Sequence, residues 1–181
     1  MKGSVVGIVI VLALIAAGAL FYAGSALTPT PPAPIEQLYS NGTYGISFSY
    51  PSGYVLSEKR TIEDGAHHIT VVKETDTVPE GGEGPPALSL DIYPIPKDTE
   101  TITDFIETAS ISNFGLGDGT YTTLLMGSTN AVRYAWSGLY EGETVAFLHN
   151  GRVIMISVTF ISPTDPIRTD FDALLTSLRL R

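Results

Sequence analysis

The sequence contains no cysteine among its 181 residues. Disulfide bridges, thiolate zinc sites, cysteine nucleophiles and the lipid-modified cysteine of a lipoprotein are therefore excluded. Charged residues are also scarce, at 16%, while apolar residues reach 44% and the mean hydropathy is +0.20. This balance indicates that part of the chain lies in lipid. The length leaves room for one ordinary domain with an appendage.

Basic residues are few, since 10 Lys and Arg stand against 19 Asp and Glu, for a formal net charge of −9. Lys2 is the only charged residue before residue 28, so the remainder carries 9 basic and 19 acidic residues, a net charge of −10. A domain of this charge repels phosphate backbones. We therefore expect no nucleic-acid partner.

The N-terminus has the composition of a membrane-spanning helix. No charged side chain occurs from Ser4 to Leu27, and about 20 apolar residues suffice to cross a hydrocarbon core of about 30 Å. Tyr22 and Lys2 lie near opposite ends of this run, as interfacial residues do. We therefore expect residues 1–27 to form a single-pass anchor in the cell membrane. The positive-inside rule predicts a cytoplasmic N-terminus and an extracytoplasmic C-terminal domain.

A cleaved signal peptide is the alternative for this segment, and Ala23-Gly24-Ser25-Ala26 offers the small residues of a cleavage site. The apolar core is longer than that of most signal peptides, and its basic region is a single lysine, which favours the anchor. Residues 28–38 are predicted to be a linker, since four prolines fall between Thr28 and Pro34. Such a stretch favours extended polyproline II and acts as a semi-rigid spacer.

The folded domain is predicted to span residues 39–181. Apolar alternation predicts strands over residues 44–50, 55–61, 66–75, 88–92, 121–126, 131–138, 143–148 and 153–161. Asp64-Gly65 and Asn150-Gly151 are hairpin turn pairs. The strand from Val153 to Val158 is apolar on both faces, which is typical of a central strand that is covered on both sides. Residues 77–86, rich in Pro and Gly, form a long loop.

Two segments change to a helical period. Ile102, Phe105, Ile106 and Ala109 recur at helical spacing, after a capping box of Thr101 and Asp104. Asp165-Pro166 begins a second helix, whose apolar residues are Ile167, Phe171, Leu174, Leu175 and Leu178. The order of elements predicts an α+β fold, with a mostly antiparallel sheet of about 6–7 strands that is flanked by helices.

The segment from Tyr44 to Tyr54 resembles the opening of PsbP-like domains, in which an aromatic-Gly strand precedes a proline and a further aromatic residue. Tryptophan is commoner there than Tyr54. The closing segment Phe171 to Leu180 is similar to the end of that family. The resemblance implies an α/β/α sandwich. Together with the anchor predicted from residues 1–27, it suggests an N-terminally membrane-anchored, bacterial-type member. It also implies a non-enzymatic role, because known relatives are mostly extrinsic photosystem subunits, a nuclear transport factor and envelope lipoproteins.

No catalytic or metal-binding constellation is evident. His67, His68 and His149 are the three histidines, and no Gly-x-Ser-x-Gly motif accompanies them. His67 and His68 are adjacent, so a regular strand points them to opposite faces and prevents both from binding one ion. The acidic residues of the loop region, Glu74, Asp76, Glu80 and Glu83, lack the spacing of an EF-hand. We therefore expect no catalytic residues, no cofactor and no metal.

Trp136 and Tyr140 are the candidate interaction residues. Trp136 lies on the same strand face as Val132 and Tyr134, which favours a core position. If it pointed outward with Tyr140, it would be an interface anchor, because Trp and Tyr dominate the hot spots of protein interfaces.

The functional hypothesis is a membrane-anchored extracytoplasmic PsbP-like domain that binds or helps assemble another envelope protein. The alternatives are an exported module that binds a small ligand between sheet and helix, and an exported hydrolase.

Overall fold

A computed structural model of the chain describes residues 36–61, 65–76 and 84–181. The predicted anchor 1–27, most of the linker 28–38 and most of the loop 77–86 lie outside these residues. The described strands are β1 (Glu36–Asn41), β2 (Ile46–Pro51), β3 (Tyr54–Arg60), β4 (His67–Lys73), β5 (Leu88–Pro94), β6 (Thr122–Met126), β7 (Thr129–Ser137), β8 (Glu141–His149), β9 (Arg152–Phe160) and β10 (Arg179–Leu180). The helices are α1 (Ile102–Thr108) and α2 (Ile167–Ser177), and two 3-10 turns span Ser110–Ser112 and Phe114–Leu116.

Seven strands form one antiparallel sheet in the order β3-β4-β5-β9-β8-β7-β6. The doubly apolar strand β9 is the middle one, as predicted from its composition. Asn150 and Gly151 join β8 to β9 with φ values of 47° and 69°, the left-handed geometry of a tight hairpin. The predicted α+β fold with a mostly antiparallel sheet is therefore confirmed.

The first predicted strand is not part of this sheet. Strand β2 pairs with β1 on one side and with the short β10 on the other, which makes a separate three-stranded sheet. Strand β1 begins at Glu36, within the segment expected to be linker and three residues before the expected start of the domain at Tyr39. Its polar, mostly exposed residues carry no clear alternation, and its strand conformation depends on its pairing with β2.

Each face of the large sheet is covered by its own apolar core. On one face, β1, β2 and α2 bury residues such as Phe48 and Phe171 against Ile154 and Ile156 of β9. On the other face, α1 and the 3-10 turns pack Phe105 and their other apolar residues on the sheet. The large sheet therefore lies between two layers, as expected for an α/β/α sandwich.

Both helix starts have the polar partners expected from the sequence. Thr101 and Asp104 form the reciprocal capping box of α1, with Thr101 Oγ1 accepting from the Asp104 N–H and the Asp104 carboxylate accepting from the Thr101 N–H. Asp165 Oδ1 accepts from the N–H of Ile167 at the start of α2. Neither α1 nor α2, the helices within the described residues, has the length and apolarity to span a bilayer.

Candidate interaction surface

Trp136 lies flat over a glycine of the neighbouring strand. It is directly opposite Gly142 across the β7–β8 pair, and a Cβ atom on Gly142 would lie 2.3 Å from Cε2 and Cζ2 of the indole. The indole Nε1 donates to Thr144 Oγ1 at 2.9 Å, and Thr144 is fully buried. Glycine thus provides the space and threonine fixes the orientation of the ring.

The structure combines the two alternatives for Trp136. The side chain packs against the core beneath α1, on the face of Val132 and Tyr134 as predicted, but it is only partly buried. Because Trp136 is the only tryptophan of the chain, its emission reports on this surface alone. Tyr140 is also half-buried, and its hydroxyl donates to the Gly84 carbonyl oxygen at 3.1 Å.

Two exposed leucines lie near Trp136, Leu116 in space and Leu139 in the chain. A Cβ atom on Gly138 would lie 3.9 Å from Leu116 and 4.0 Å from Trp136, which places these two side chains beside the same glycine. Leu116 is 54% exposed, and Leu139, which follows Gly138 in the chain, is 69% exposed. We call Leu116, Trp136, Leu139 and Tyr140 the Trp136 patch.

The 3-10 turn that carries Leu116 is fixed to strand β7. Tyr134 donates its hydroxyl hydrogen to the Ser112 carbonyl oxygen at 2.7 Å, and Ser112 Oγ accepts from the Phe114 N–H at 3.1 Å. Gly117 approaches the Ala135 carbonyl so closely that a Cβ atom there would lie 2.3 Å from the oxygen. Leu116 is therefore held next to Trp136 by a rigid support.

The adjacent histidines point to opposite faces of β4, as predicted from their spacing. His67 is buried and bonded to Glu58 Oε2 at 2.7 Å, while Arg60 Nε donates to its Nδ1 at 3.1 Å. With Nδ1 as the acceptor, Nε2 donates to Glu58, which fixes the neutral tautomer. The His67 ring also meets the edge of Tyr44 from the smaller sheet.

His68 belongs to a second carboxylate pair. Its Nδ1 is 2.8 Å from Asp91 Oδ1, and Ser89 Oγ donates to Asp91 Oδ2 at 3.3 Å. Burial raises the pKa of Asp91 above its ordinary value, although the bonds from His68 and Ser89 oppose this rise. Ser89 bonds to the carboxylate rather than to the imidazole, whereas a Ser-His-Asp triad needs the hydroxyl on the imidazole.

Besides the two histidine–carboxylate pairs, a network of ion pairs joins α2 to the sheet, and the sequence pattern does not predict it. Arg133 Nε donates to Glu143, and its Nη2 donates to Asp172 Oδ1 at 3.0 Å. Burial alone would raise the pKa of Glu143, but the hydrogen bond and charge of Arg133, with the charge of Arg168, outweigh it and lower that pKa. The paired charges give this network a structural role.

Clusters of three or more His, Asp or Glu that could hold a metal ion do not occur within the described residues. Glu80 and Glu83 of the acidic loop lie outside those residues. The expectation that this loop holds no metal ion therefore stays a prediction.

Comparison with known proteins supports the fold that the sequence suggested. No family model matches the chain, and no curated protein matches it in sequence. Among solved structures, the chain is similar to the solution structure of cyanobacterial PsbP (CyanoP) from Synechocystis sp. PCC 6803, with a TM-score of 0.56. The match covers 86% of this chain and 99% of that one at 18% identity, which is a likeness of fold alone. The domain therefore has a PsbP-like α+β fold.

Proposed function

We propose that this chain is a membrane-anchored, non-enzymatic accessory protein whose PsbP-like domain binds another envelope protein through the Trp136 patch. The observation that carries the proposal is a partly exposed Trp136, fixed by Gly142 and Thr144, beside exposed Leu116 and close in the chain to exposed Leu139. Tryptophan and tyrosine that are pre-organised on a rigid support are typical anchors of protein interfaces, because little side-chain entropy is lost on binding.

Charge identifies the kind of partner. The chain after residue 27 carries a net charge of −10, and Glu141 lies exposed beside the patch, where its Oε1 accepts from Ser137 Oγ at 3.2 Å. Asp118 is exposed on the loop that follows Leu116. Complementary surfaces place opposite charges around an apolar centre. The partner is therefore a protein that presents an apolar surface with lysine or arginine residues at its rim.

Site-specific cross-linking in native cells tests this proposal. A photo-reactive amino acid replaces Leu139 in the full-length chain, and the matched control carries it at Val55, which is 52% exposed on β3, the opposite edge strand of the large sheet. We expect one dominant cross-linked protein from position 139 and none from position 55. Identical products from both positions, or none from position 139, would overturn the proposal.

The membrane attachment is tested separately. The uncharged run from Ser4 to Leu27 supports an anchor. The full-length chain should stay in the membrane pellet after an alkaline carbonate wash. In cells whose outer envelope layer has been permeabilised, added protease should degrade the C-terminal domain. A mature protein whose mass lacks the first 25 or so residues would show a cleaved signal peptide instead.

A further inference from the structure

A cleft of about 580 Å³ opens at the end of strands β7 and β8 that is opposite to Trp136. Its walls are the β6–β7 turn, His149 at the end of β8, and the last turn of α2 with β10. The volume lies within the range of small-molecule sites, about 300–1,000 Å³. The side chains of Leu175 and Leu178 give it an apolar wall.

The charged side chains that line the cleft have the opposite sign to the net charge of the protein. His149, Arg179 and Arg181 line it, and none of the lining residues is an aspartate or glutamate. Arg152 lies directly opposite His149 across the β8–β9 pair, so three arginines gather at this end of the domain. In a chain with nearly twice as many acidic as basic residues, such a group attracts anions selectively.

The polar groups of the cleft retain hydrogen-bonding capacity. The Nε2 atom of His149 is buried and makes no hydrogen bond within the described part of the chain. Buried polar atoms without a partner are rare, and each one calls for an explanation. Arg179 donates through Nη1 to the carbonyl oxygens of Thr176 and Leu178, which holds its guanidinium at the cleft and leaves its other N–H groups for a ligand.

The main chain of Arg181 is bonded to the rest of the domain. Its main-chain oxygen accepts from Asn150 Nδ2 at 3.0 Å. Its N–H donates to the Gly45 carbonyl oxygen at 2.9 Å. These bonds fix β10, and with it Arg179, against the rest of the domain, so the basic groups are positioned before any ligand arrives.

We propose that this cleft binds a small organic anion that joins an oxyanion head, carboxylate or phosphate, to a compact apolar body. Arginine and histidine N–H groups bind the head by charge-assisted hydrogen bonds, and the leucine wall contacts the body. The proposal goes beyond the protein-binding role and is independent of it, because the cleft and the Trp136 patch lie at opposite ends of the same two strands.

Calorimetric titration of the full-length chain in nanodiscs of zwitterionic lipid tests the proposal, with empty nanodiscs as the blank. Benzoate and phenyl phosphate carry both parts of the expected ligand, inorganic phosphate carries only the head, and benzyl alcohol carries only the body. We expect benzoate or phenyl phosphate to bind at least about tenfold more tightly than the two partial probes. Whichever of benzoate and phenyl phosphate binds more tightly shows whether the cleft prefers a carboxylate or a phosphate head.

Two variants locate the binding site. Arg179→Gln and His149→Gln should each lower the affinity for the ring anion by about tenfold. The control Lys59→Gln removes one positive charge from an exposed position on β3, and it should leave this affinity within about twofold of the parent. Two variants are used so that a folding defect in one leaves the other informative. The proposal is overturned if neither ring anion gives binding heat at millimolar concentration, if benzyl alcohol binds equally well, or if Lys59→Gln weakens binding as much as the cleft variants do.

Discussion

The contact between Trp136 and Gly142 gives the sharpest test of how the candidate surface is built. In Gly142→Ala the new Cβ atom would lie 2.3 Å from the indole, far inside van der Waals contact, and both residues are on paired strands that cannot separate locally. The flexible element is the Trp136 side chain. We therefore expect the indole to rotate away from the sheet and to lose its hydrogen bond to Thr144.

The expected cost follows from the contacts that are lost. Re-exposing about 80 Å² of a tryptophan side chain costs about 2 kcal/mol at about 25 cal/mol per Å². The lost hydrogen bond adds about 1 kcal/mol, although Thr144 keeps its partner Ser157 at 2.9 Å. Replacing glycine by alanine in a strand returns roughly 0.5–1 kcal/mol. The net loss of unfolding free energy is about 2 kcal/mol.

Urea denaturation and tryptophan emission measure the two consequences together. With an m-value of about 2 kcal/mol per molar, typical of a domain of this size, the urea midpoint should fall by about 1 M. The emission maximum of the single tryptophan should shift to longer wavelength as the indole meets water. Gly115→Ala is the matched control, because its new Cβ atom meets no heavy atom within 4 Å, and its unfolding free energy should stay within about 0.5 kcal/mol of that of the parent.

A double-mutant cycle separates the steric effect from any general effect of Gly142→Ala. In a Trp136→Phe background the ring is smaller and has no N–H, so Gly142→Ala should lower the unfolding free energy by less. Unfolding followed by circular dichroism should give a coupling energy of about 1 kcal/mol between the two substitutions. The reasoning is refuted if Gly142→Ala leaves both the urea midpoint and the emission maximum of the parent unchanged.

Three further predictions concern stability, measured by urea denaturation. Glu143→Gln should lower the unfolding free energy by about 2 kcal/mol at pH 7, because Arg133 loses a charged partner that is half-buried. The lowered pKa of Glu143 stabilises the fold above the ordinary glutamate range, so the difference from the parent should shrink as pH falls through that pKa; a constant difference would contradict this account. Tyr54→Phe should cost about 1 kcal/mol through loss of its 2.5 Å hydrogen bond to Asp170, and an unchanged midpoint would mean that this bond adds nothing. Gly151→Val should cost about 1–2 kcal/mol, because a β-branched residue is strained at a φ of 69°; a neutral result would show that the turn relaxes.

The sequence by itself determined the local structure of the domain. Alternation of apolar and polar residues predicted the strands of the large sheet, because it shows which strands bury one face. The continuous apolar run of β9 predicted its central place, because such a strand buries both faces. Asn150-Gly151 and the Thr101–Asp104 box each satisfy their own backbone groups, so their structures follow from neighbouring residues. The PsbP-like fold was predictable from these elements and from the segment that begins at Tyr44.

Only the tertiary structure decided which strand pairs with which. Alternation shows that one face of β2 is buried but not what buries it, and β2 joins β1 and β10 rather than the large sheet. Ser177 Oγ accepts from the N–H of Ser49 at 2.8 Å across 128 residues, a contact that no local pattern encodes.

Both proposed sites share this dependence on long-range contacts. His149 lines the same cleft as Arg179 only because β10 returns to the end of the large sheet, and Trp136 stays partly buried only because Gly142 leaves space opposite it. Residue type and spacing fix which groups a chain has to bury, whereas the packing of distant segments fixes which groups remain available to bind.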